Sequence, residues 1–424
     1  MALPRPRVVI VGGGFGGLYA AMALRGAPVL VTLCDRNNYH LFQPLLYQVA
    51  TGGLSSEEIA APIRRVLRGQ ENADVLLADV QAIDLARREV VHETGRIPYD
   101  YLVVATGARH AYFGHGEWEA DAPGLKTLDD ALAIRRRIYM AYEEAERCTD
   151  PNLLPGYLAF VVVGGGPTGV EMAGAIAEIA RRTLRRDFRH IDPTSSRVIL
   201  VEAGPRVLPG FPSQLSARAE AELTAMGVEV RLGTPVTHVS ANGVRLGDRW
   251  IASRTVIWAA GVEASPLGRS FAAPADRAGR VAVAQDLSLP GHPEVFVVGD
   301  LALAQGSDGR PLPGLAPVAM QEGRAAARNI LRRVAGQSAR PFRYRDRGVL
   351  ATIGRRAAVA DVRGVRLSGL LAWLTWLFVH ILYLIGFDRR VVVLWRWAYA
   401  YVTFERGARL ITGTAVDDGP GHDV

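Results

Sequence analysis

Cysteine is nearly absent from this sequence of 424 residues, which contains only Cys34 and Cys148. Two thiols so far apart exclude a disulfide framework, a cysteine-rich zinc site and an iron–sulfur cluster held by four thiolates. They also exclude the neighbouring cysteine pair that flavin disulfide reductases use. Cys34 lies in a predicted strand, where we expect a small core residue. We therefore predict no metal site.

We expect neither a secretory leader nor a nucleic-acid-binding stripe in this protein. The first seven residues contain no apolar run of the kind that a signal peptide needs, so we expect a cytoplasmic catalytic body. The net charge of +7 is not accompanied by a basic stripe with interleaved aromatic residues, and the basic clusters flank apolar segments. This favours anionic lipid headgroups over nucleic acid as a partner. The length predicts two or three domains.

A glycine-rich turn follows the first apolar run. Val8–Val11 is typical of a buried strand, and it leads into Gly12-x-Gly14-x-x-Gly17 and a helix predicted over Leu18–Leu24. Such glycines allow a tight turn, close approach of a pyrophosphate and close packing of helix on strand. The next apolar run, Val29–Asp35, ends in an acid that can accept ribose hydroxyls. The pattern predicts a dinucleotide site, with an ordinary glycine-rich turn as the alternative.

The same pattern recurs later in the chain. Leu158–Val163 is a predicted strand, and Gly164-x-Gly166-x-x-Gly169 repeats the first spacing before a helix predicted from Val170 toward Arg186. The next strand, Arg197–Glu202, again ends in an acid. Two copies in one chain predict two dinucleotide sites, which suits a flavin and a nicotinamide that exchange a hydride.

The acid at the end of the predicted strand Arg197–Glu202 indicates which nicotinamide nucleotide binds. Glu202 is expected to hydrogen-bond the adenosine ribose of NADH and to repel the 2′-phosphate of NADPH. Arg206 is close enough in sequence to weaken this discrimination. NADH is the predicted nicotinamide.

Three further predicted strands end in small residues, where backbone can approach a cofactor. The turns are Ala105-Thr106-Gly107, Ala259-Ala260-Gly261 and Gly299-Asp300. The last suits the ribityl–phosphate chain of a flavin, and an ordinary strand end is an equal alternative. The segment Asn37–Gln48 has neither helical nor strand period, so it is predicted as a loop that carries ligand contacts. Asp129–Arg147 is predicted as a helix.

Charged residues are missing from Leu367–Phe387, a run of 21 residues. Its length suits a helix of roughly 30 Å. The second apolar run, Val391–Phe404, is shorter and includes Arg396, and aromatic residues are scattered along both runs rather than concentrated at their ends. We therefore predict a monotopic helix pair in the membrane interface, with a buried core or dimer helix as the alternative.

The sequence resembles the type II NADH:quinone oxidoreductases, the single-subunit NADH dehydrogenases that do not pump protons. The likeness extends to about Thr412, includes Phe42–Gln48 and Gly164–Gly174, and is most specific over Pro313–Gly323 and His380–Phe387. The resemblance implies an α/β fold with two Rossmann-type dinucleotide-binding domains of the disulfide-reductase kind and C-terminal amphipathic membrane-anchoring helices.

The resemblance also implies a domain order and a set of partners. We expect an FAD-binding domain in two parts (1–112 and 265–345), an NADH-binding domain with a linker helix (113–264), a membrane-anchoring and dimerisation region (346–412) and a disordered tail (413–424). FAD is expected to bind non-covalently, NADH to be the substrate and quinone the acceptor. The protein is expected to be a homodimer at the cytoplasmic face of the inner membrane, peripheral to the lipid.

The implied site residues fall into three groups. Those expected to bind FAD are Gly12, Gly14, Phe15, Gly16, Gly17, Asp35, Arg36, Pro44, Leu45, Ala105, Thr106, Gly107, Gly299, Asp300, Ala316, Pro317 and Val318. Those expected to bind NADH are Gly164, Gly166, Pro167, Thr168, Gly169, Glu202, Ala260 and Gly261. Those expected to bind quinone are Pro317, Gln321, His380 and Tyr383.

Two of the implied residues are assigned a catalytic role. Gln321 is expected near the quinone headgroup, and Glu171 near the flavin, where it helps to deliver protons. The position of Glu171 just after a helix N-terminus favours its ionised form, whereas burial opposes it. The alternative for Glu171 is a stabiliser of the first helical turn, and for His380 a histidine satisfied by a neighbour.

Pro317 is a departure from the family pattern, because many members have an amide at this position. Proline offers neither a side-chain hydrogen bond nor a backbone N–H. It is tolerated in a first helical turn, so the backbone is expected to be unaffected. Quinone affinity or headgroup preference is therefore in question.

Other functions share parts of this pattern. A sulfide:quinone oxidoreductase has the same fold but needs catalytic cysteines near the flavin, and the positions of Cys34 and Cys148 disfavour it. A soluble ferredoxin or rubredoxin reductase would lack Leu367–Phe404. A non-catalytic membrane tether or redox sensor would keep the binding motifs, although Glu171 and Gln321 argue against it.

Overall fold

Strands and helices alternate along most of the chain. The computed structural model describes residues 5–384, 387–403 and 406–411, so the tail predicted over 413–424 lies outside the described residues. The chain divides into two units. The first unit comprises Met1–Phe42, Ala60–Ala111 and Gly261–Arg347, and the second comprises Gln43–Ile59, Tyr112–Ala260 and Gly348–Val424.

The strands and helices have the following bounds. The strands are β1 (Arg7–Val11), β2 (Leu30–Asp35), β3 (Tyr39–Leu41), β4 (Ala60–Pro62), β5 (Ala73–Leu77), β6 (Val80–Asp84), β7 (Glu89–His92), β8 (Gly95–Pro98), β9 (Tyr101–Val104), β10 (Ala108–His110), β11 (Ala159–Val163), β12 (Arg197–Val201), β13 (Val228–Arg231), β14 (Val236–Ser240), β15 (Gly243–Leu246), β16 (Arg249–Ala252), β17 (Thr255–Trp258), β18 (Val262–Ala264), β19 (Val281–Ala282), β20 (Ser288–Leu289), β21 (His292–Val297), β22 (Ala302–Leu303), β23 (Val349–Gly354), β24 (Ala357–Val362) and β25 (Val365–Ser368). The helices are α1 (Phe15–Ala23), α2 (Leu46–Ala50), α3 (Ser56–Ile59), α4 (Ile63–Leu67), α5 (Leu128–Arg147), α6 (Leu154–Tyr157), α7 (Pro167–Glu178), α8 (Ser213–Ala225), α9 (Ala316–Val334), α10 (Gly369–Tyr383) and α11 (Phe387–Thr403).

The first unit is built on a six-stranded sheet in the order β20-β21-β9-β1-β2-β5. All neighbours are parallel except the edge pair of β20 and β21. Val8–Val11 of β1 is buried throughout, as expected for a central parallel strand covered on both faces. The strand order reverses at β1, between β2 and β9, and doubly wound sheets bind nucleotides at such a point.

The second unit repeats this arrangement in a parallel sheet of order β13-β12-β11-β17. Here β11 is buried along its whole length and has the place that β1 has in the first sheet. The order reverses between β12 and β17. Both sheets are therefore of the Rossmann type, as the two glycine-rich motifs predict.

Some predicted elements differ from the structure. The helix predicted from Val170 toward Arg186 begins earlier, at Pro167, and gives way to a π-helical turn over Ile179–Thr183. The prediction of a loop over Asn37–Gln48 is wrong, because the segment contains β3, a 3₁₀ turn at Gln43–Leu45 and the start of α2. Periodicity did not reveal β3, since its three residues pair with the distant strand β4.

The C-terminal part of the second unit consists of the antiparallel sheet β23-β24-β25 and helices α10 and α11. The helix predicted from Leu367 begins at Gly369, because Leu367 still pairs with Ala360 in the sheet. Within the described residues, no helix is both long enough and apolar enough to cross a membrane. Leu371 and Phe378 of α10 are each 65% exposed, and Trp395 of α11 is 71% exposed.

Candidate functional site

The first glycine-rich turn lies at the carboxyl end of β1. Gly12 has φ +100°, and a Cβ there would overlap the carbonyl oxygen of Ala105 after β9. A Cβ at Gly17 would overlap the carbonyl oxygen of Gly12, so this glycine allows α1 to pack on the turn. Around Gly14, which precedes α1, a Cβ would meet nothing within 4 Å. The turn thus leaves open space at the start of a helix, whose free N–H groups attract phosphate.

Asp35, at the end of β2, connects this turn to the second strand. Its Oδ2 accepts the backbone N–H of Gly13 at 2.5 Å, and its Oδ1 accepts that of Asn37 at 2.7 Å. Burial raises the pKa of Asp35, and the two N–H donors and Arg36 oppose this rise. The carboxylate therefore fixes the turn and retains lone pairs for a ribose.

Two other turns of the first unit offer polar groups for a flavin. Gly107 has φ +67°, and the buried Oγ1 of Thr106 has no hydrogen-bond partner within the described chain. Gly299 has φ +74° and begins a 3₁₀ turn that carries Asp300. An unpaired buried hydroxyl next to a glycine cradle suits a polar ligand, so these residues fit FAD.

The second glycine-rich turn has the same local geometry in the second unit. Gly164 has φ +110°, and a Cβ at Gly169 would overlap the carbonyl oxygen of Gly164. Glu202 accepts the backbone N–H groups of Gly165 and Gly204, each at 2.6 Å. Gly166 precedes α7 and has no atom within 4 Å of its Cβ position. The two turns and their acids correspond residue by residue.

The expected FAD residues are not all in one unit. All but two belong to the first unit, and the exceptions, Pro44 and Leu45, belong to the second. Of the expected NADH residues, Gly261 is the first residue of a first-unit segment, and the others belong to the second unit.

Glu171, on α7, lines a cavity of about 140 Å³ in the second unit. Burial of the carboxyl raises its pKa well above the ordinary value, although the backbone N–H of Thr352 opposes this rise. Glu171 lies beyond the first turn of α7, so the alternative of a first-turn stabiliser is wrong. Burial therefore outweighs the effect of the helix N-terminus and favours the protonated form of Glu171.

A chain of hydrogen bonds connects this cavity to α11. Gln48 donates from Nε2 to the hydroxyl of Tyr47 at 2.9 Å and accepts Nε1–H of Trp397 at 2.7 Å. Burial raises the pKa of Tyr47, and the nearby Glu171 carboxyl raises it further. Within the described chain, Nε1 of Trp376 is buried without a hydrogen-bond partner. All five side chains line the cavity, which therefore offers a free donor and an acid whose pKa is raised.

The residues expected to bind quinone are divided between the units. Pro317 and Gln321 lie on α9 of the first unit, where the proline occupies the first turn as expected. The amide of Gln321 both donates to and accepts from the backbone of Arg345, each at 3.0 Å. His380 and Tyr383 lie on α10 of the second unit, and neither is among the described residues that line the cavity.

His380 has a neighbour on its own helix. Its Nδ1 donates to the backbone carbonyl of Trp376 at 2.7 Å, and burial lowers its pKa to about 4. The ring is neutral at physiological pH. The alternative of a histidine satisfied by a neighbour is therefore confirmed for Nδ1.

Sequence reasoning missed several residues of these sites. Glu322 of α9 is buried, and its carboxyl group accepts the backbone N–H of Gly299. The sequence did contain a signal for this buried acid. Glu322 follows Ala319 by three residues and Val318 by four, a spacing that places it on the apolar face of α9. Tyr47, Gln48 and Trp397 are far apart in sequence, and no local pattern brings them together.

The repeated Rossmann sheets, each with a glycine-rich turn and a carboxylate at the next strand end, define a pyridine nucleotide-disulphide oxidoreductase. The sequence profile of the family so described matches residues 6–323. The chain is 49% identical to the type II NADH:quinone oxidoreductase Ndh of Mycobacterium tuberculosis, over 96% of this chain and 90% of that protein. It is 31% identical to the type II NADH:quinone oxidoreductase of Staphylococcus haemolyticus, over 87% and 92%. The chain belongs to the type II NADH:quinone oxidoreductases.

Solved structures agree in fold. NDH2 from Plasmodium falciparum in complex with NADH superposes with a TM-score of 0.84 at 20% identity, covering 95% of this chain and 99% of that chain. The sulfide:quinone oxidoreductase of Aquifex aeolicus gives a TM-score of 0.73 at 19% identity, covering 91% of each chain. At these identities the likeness concerns the fold alone. Cys34 is fully buried in β2, as expected of a core residue, and burial raises the pKa of its thiol to about 12.

Proposed function

We propose that this protein oxidises NADH and transfers two electrons through bound FAD to a membrane quinone, without moving protons across the membrane. The observation that carries the proposal is the duplicated turn with its locked acid, at Asp35 and at Glu202. One chain thereby offers a site for a resident cofactor and another for an exchanging nucleotide. Overall, NADH, quinone and one proton give NAD⁺ and quinol.

The first unit is the proposed FAD site. The turn at Gly12–Gly17 would hold the pyrophosphate, Asp35 would accept the adenosine ribose hydroxyls, and Thr106 and Asp300 would provide polar groups for the rest of the molecule. FAD bound there supplies a two-electron acceptor for the hydride and a donor for the quinone. The chain's own contribution is to bind, orient and exclude water.

The second unit is the proposed NADH site, and Glu202 is the proposed basis for preferring NADH to NADPH. Its carboxylate would face the ribose, where a 2′-phosphate adds like charge. The guanidinium of Arg206 donates to the carbonyl oxygen of Pro209 at 2.7 Å, and we propose that Glu202 outweighs its positive charge. We therefore expect NADH to be the better substrate.

The cavity beside Glu171 is the proposed source of protons for the quinone. Reducing a quinone to a quinol needs two protons at its oxygens, and the raised pKa of Glu171 favours the protonated form that would donate one of them. The free Nε1–H of Trp376 is a donor that suits a carbonyl oxygen. Pro317 and Gln321 remain proposed quinone contacts on the basis of the resemblance.

The helices α10 and α11 are the proposed membrane contact, at the cytoplasmic face, in a protein that we propose to be a homodimer. The support is the exposure of large apolar side chains, among them Leu371, Phe378 and Trp395. The double variant Leu371→Glu/Phe378→Glu is expected to lose sedimentation with anionic liposomes. Phe113→Glu is the matched control, because Phe113 is 71% exposed and lies outside both helices. Unchanged sedimentation of the double variant would contradict the membrane assignment.

An anaerobic stopped-flow experiment tests the reaction. NADH is expected to bleach the flavin rapidly, NADPH much more slowly, and a short-chain quinone to restore the colour. Glu171→Gln should leave bleaching intact and slow the restoration by roughly 100-fold, which is typical for loss of a general acid. Glu222→Gln, a half-buried carboxyl paired with Arg218, is the control and should behave as the parent. The absence of bleaching by NADH would refute the assignment.

A further inference from the structure

Glu322 is a buried acid on α9 that the proposed reaction does not use. Its side chain belongs to a residue that is 1% exposed, and its Oε2 accepts the backbone N–H of Gly299 at 2.6 Å. Gly299 has φ +74°, a conformation that only glycine adopts without strain. The bond therefore fixes the residue at which the chain leaves β21 and turns toward Asp300.

The next residue of α9 contacts the other end of the same candidate site. A Cβ at Gly323 would overlap the carbonyl oxygen of Gly16, in the first turn of α1. Gly16 in turn lies against Val298, since its own Cβ would be 3.0 Å from Cγ2 of that valine. Adjacent residues of one helix thus hold the turn that precedes Asp300 and the glycine-rich turn that starts α1.

We propose that Glu322 is a positioning residue for FAD. It holds the Gly299–Asp300 turn at a fixed distance from the Gly12–Gly17 turn, so that one FAD molecule contacts both. The inference rests on the proposed FAD site of the first unit. Glu322 acts through the backbone of Gly299 and has no direct part in the reaction.

The charge state of Glu322 is consistent with this role. Burial, together with the negative charge of Asp300, raises its pKa to about 8. At neutral pH the group is therefore a neutral acid that accepts the N–H and adds no charge beside Asp300. A glutamine amide can accept the same hydrogen bond as the neutral acid, whereas an apolar side chain cannot.

Substitution of Glu322 tests the proposal. Glu322→Gln keeps a neutral acceptor, whereas Glu322→Met keeps the volume and removes it. FAD binding is measured by titrating deflavinated protein and following quenching of flavin fluorescence. We expect the affinity of Glu322→Gln to lie within about threefold of the parent, and that of Glu322→Met to fall by about 10- to 100-fold. Arg328→Ala, an exposed change on the same helix, is the control and should bind as the parent does.

A second readout distinguishes positioning from a general structural role. The rise in Tm on adding FAD should be smaller for Glu322→Met than for the parent, whatever the Tm of each protein without FAD. An equal loss of Tm with and without FAD would overturn the proposal, as would parent-like affinity in Glu322→Met or equal loss in both variants. If Glu322→Met does not fold, Glu322→Ala replaces it. Failure of the parent itself to bind FAD would refute the proposed function instead.

Discussion

The pKa of Glu322 leads to a prediction about stability that is independent of any cofactor. Its ordinary value is 4.5 and its value in the folded protein is about 8. Because the folded-state value is raised, the contribution of the group to stability is complete below about pH 4.5 and is lost as pH rises to about 8. At about 1.4 kcal/mol per pKa unit, the loss is on the order of 5 kcal/mol.

Glu322→Gln removes this titration and retains the acceptor for Gly299. The difference in Tm between variant and parent should therefore be small near pH 5 and should open in favour of the variant up to pH 8. For a domain of about 150 to 250 residues, 1 kcal/mol shifts Tm by roughly 2–4 °C, so the gap should reach about 10–20 °C.

Thermal unfolding of both deflavinated proteins, at the same scan rate and at unit steps of pH, measures the gap. All other ionisable groups are common to the two proteins and cancel in the difference. A gap that is constant with pH, or that opens in favour of the parent, would refute the reasoning.

Four further substitutions test the second unit. Gly169→Ala should lower Tm markedly or prevent folding, because its Cβ would overlap backbone atoms. Gly166→Ala should leave Tm unchanged and raise KM for NADH about 10-fold, because the added methyl group would crowd the pyrophosphate. Glu202→Gln should reduce the preference for NADH over NADPH, measured as the ratio of kcat/KM values, by about 10-fold; an unchanged ratio would remove Glu202 from the selectivity. Trp397→Phe removes the donor to Gln48 and should slow flavin reoxidation by quinone several-fold while leaving reduction by NADH intact; equal slowing of both half-reactions would contradict it.

The glycine-rich turns were predictable because their requirements are local. Gly12 and Gly164 need a positive φ, and the apolar runs before them form central parallel strands. Four predicted strands agree with the structure to within one residue at each end, namely Val8–Val11, Val29–Asp35, Leu158–Val163 and Arg197–Glu202. The position of Asp35 and of Glu202 followed from the strand end, although the backbone N–H groups that they accept were not anticipated.

The contacts around Glu171 and Glu322 were not predictable from local pattern. The cavity combines residues from α2, α7, β23 and the C-terminal helices, and the register of these elements depends on the whole second unit. Glu322 lies on the apolar face of α9. The sequence pattern shows that an acid on this face is unusual, but it does not indicate which group the acid contacts. Tertiary packing determines such contacts, so only the structure identifies Gly299 as the residue that Glu322 contacts.

The two halves share a turn but differ in what holds the helix behind it. In the first unit, Gly323 of α9 lies against Gly16 in the first turn of α1, next to the turn at Gly299. In the second unit, α7 is approached at Gly174, further along the helix, where a Cβ would overlap the carbonyl oxygen of Ile353 in β23. The first glycine-rich turn is thus braced at the residues that face a dinucleotide and is joined to a second turn, whereas the other is braced away from them. The proposed FAD site of the first unit is thus supported next to the residues that would face phosphate, and the proposed NADH site of the second unit is supported further along its helix.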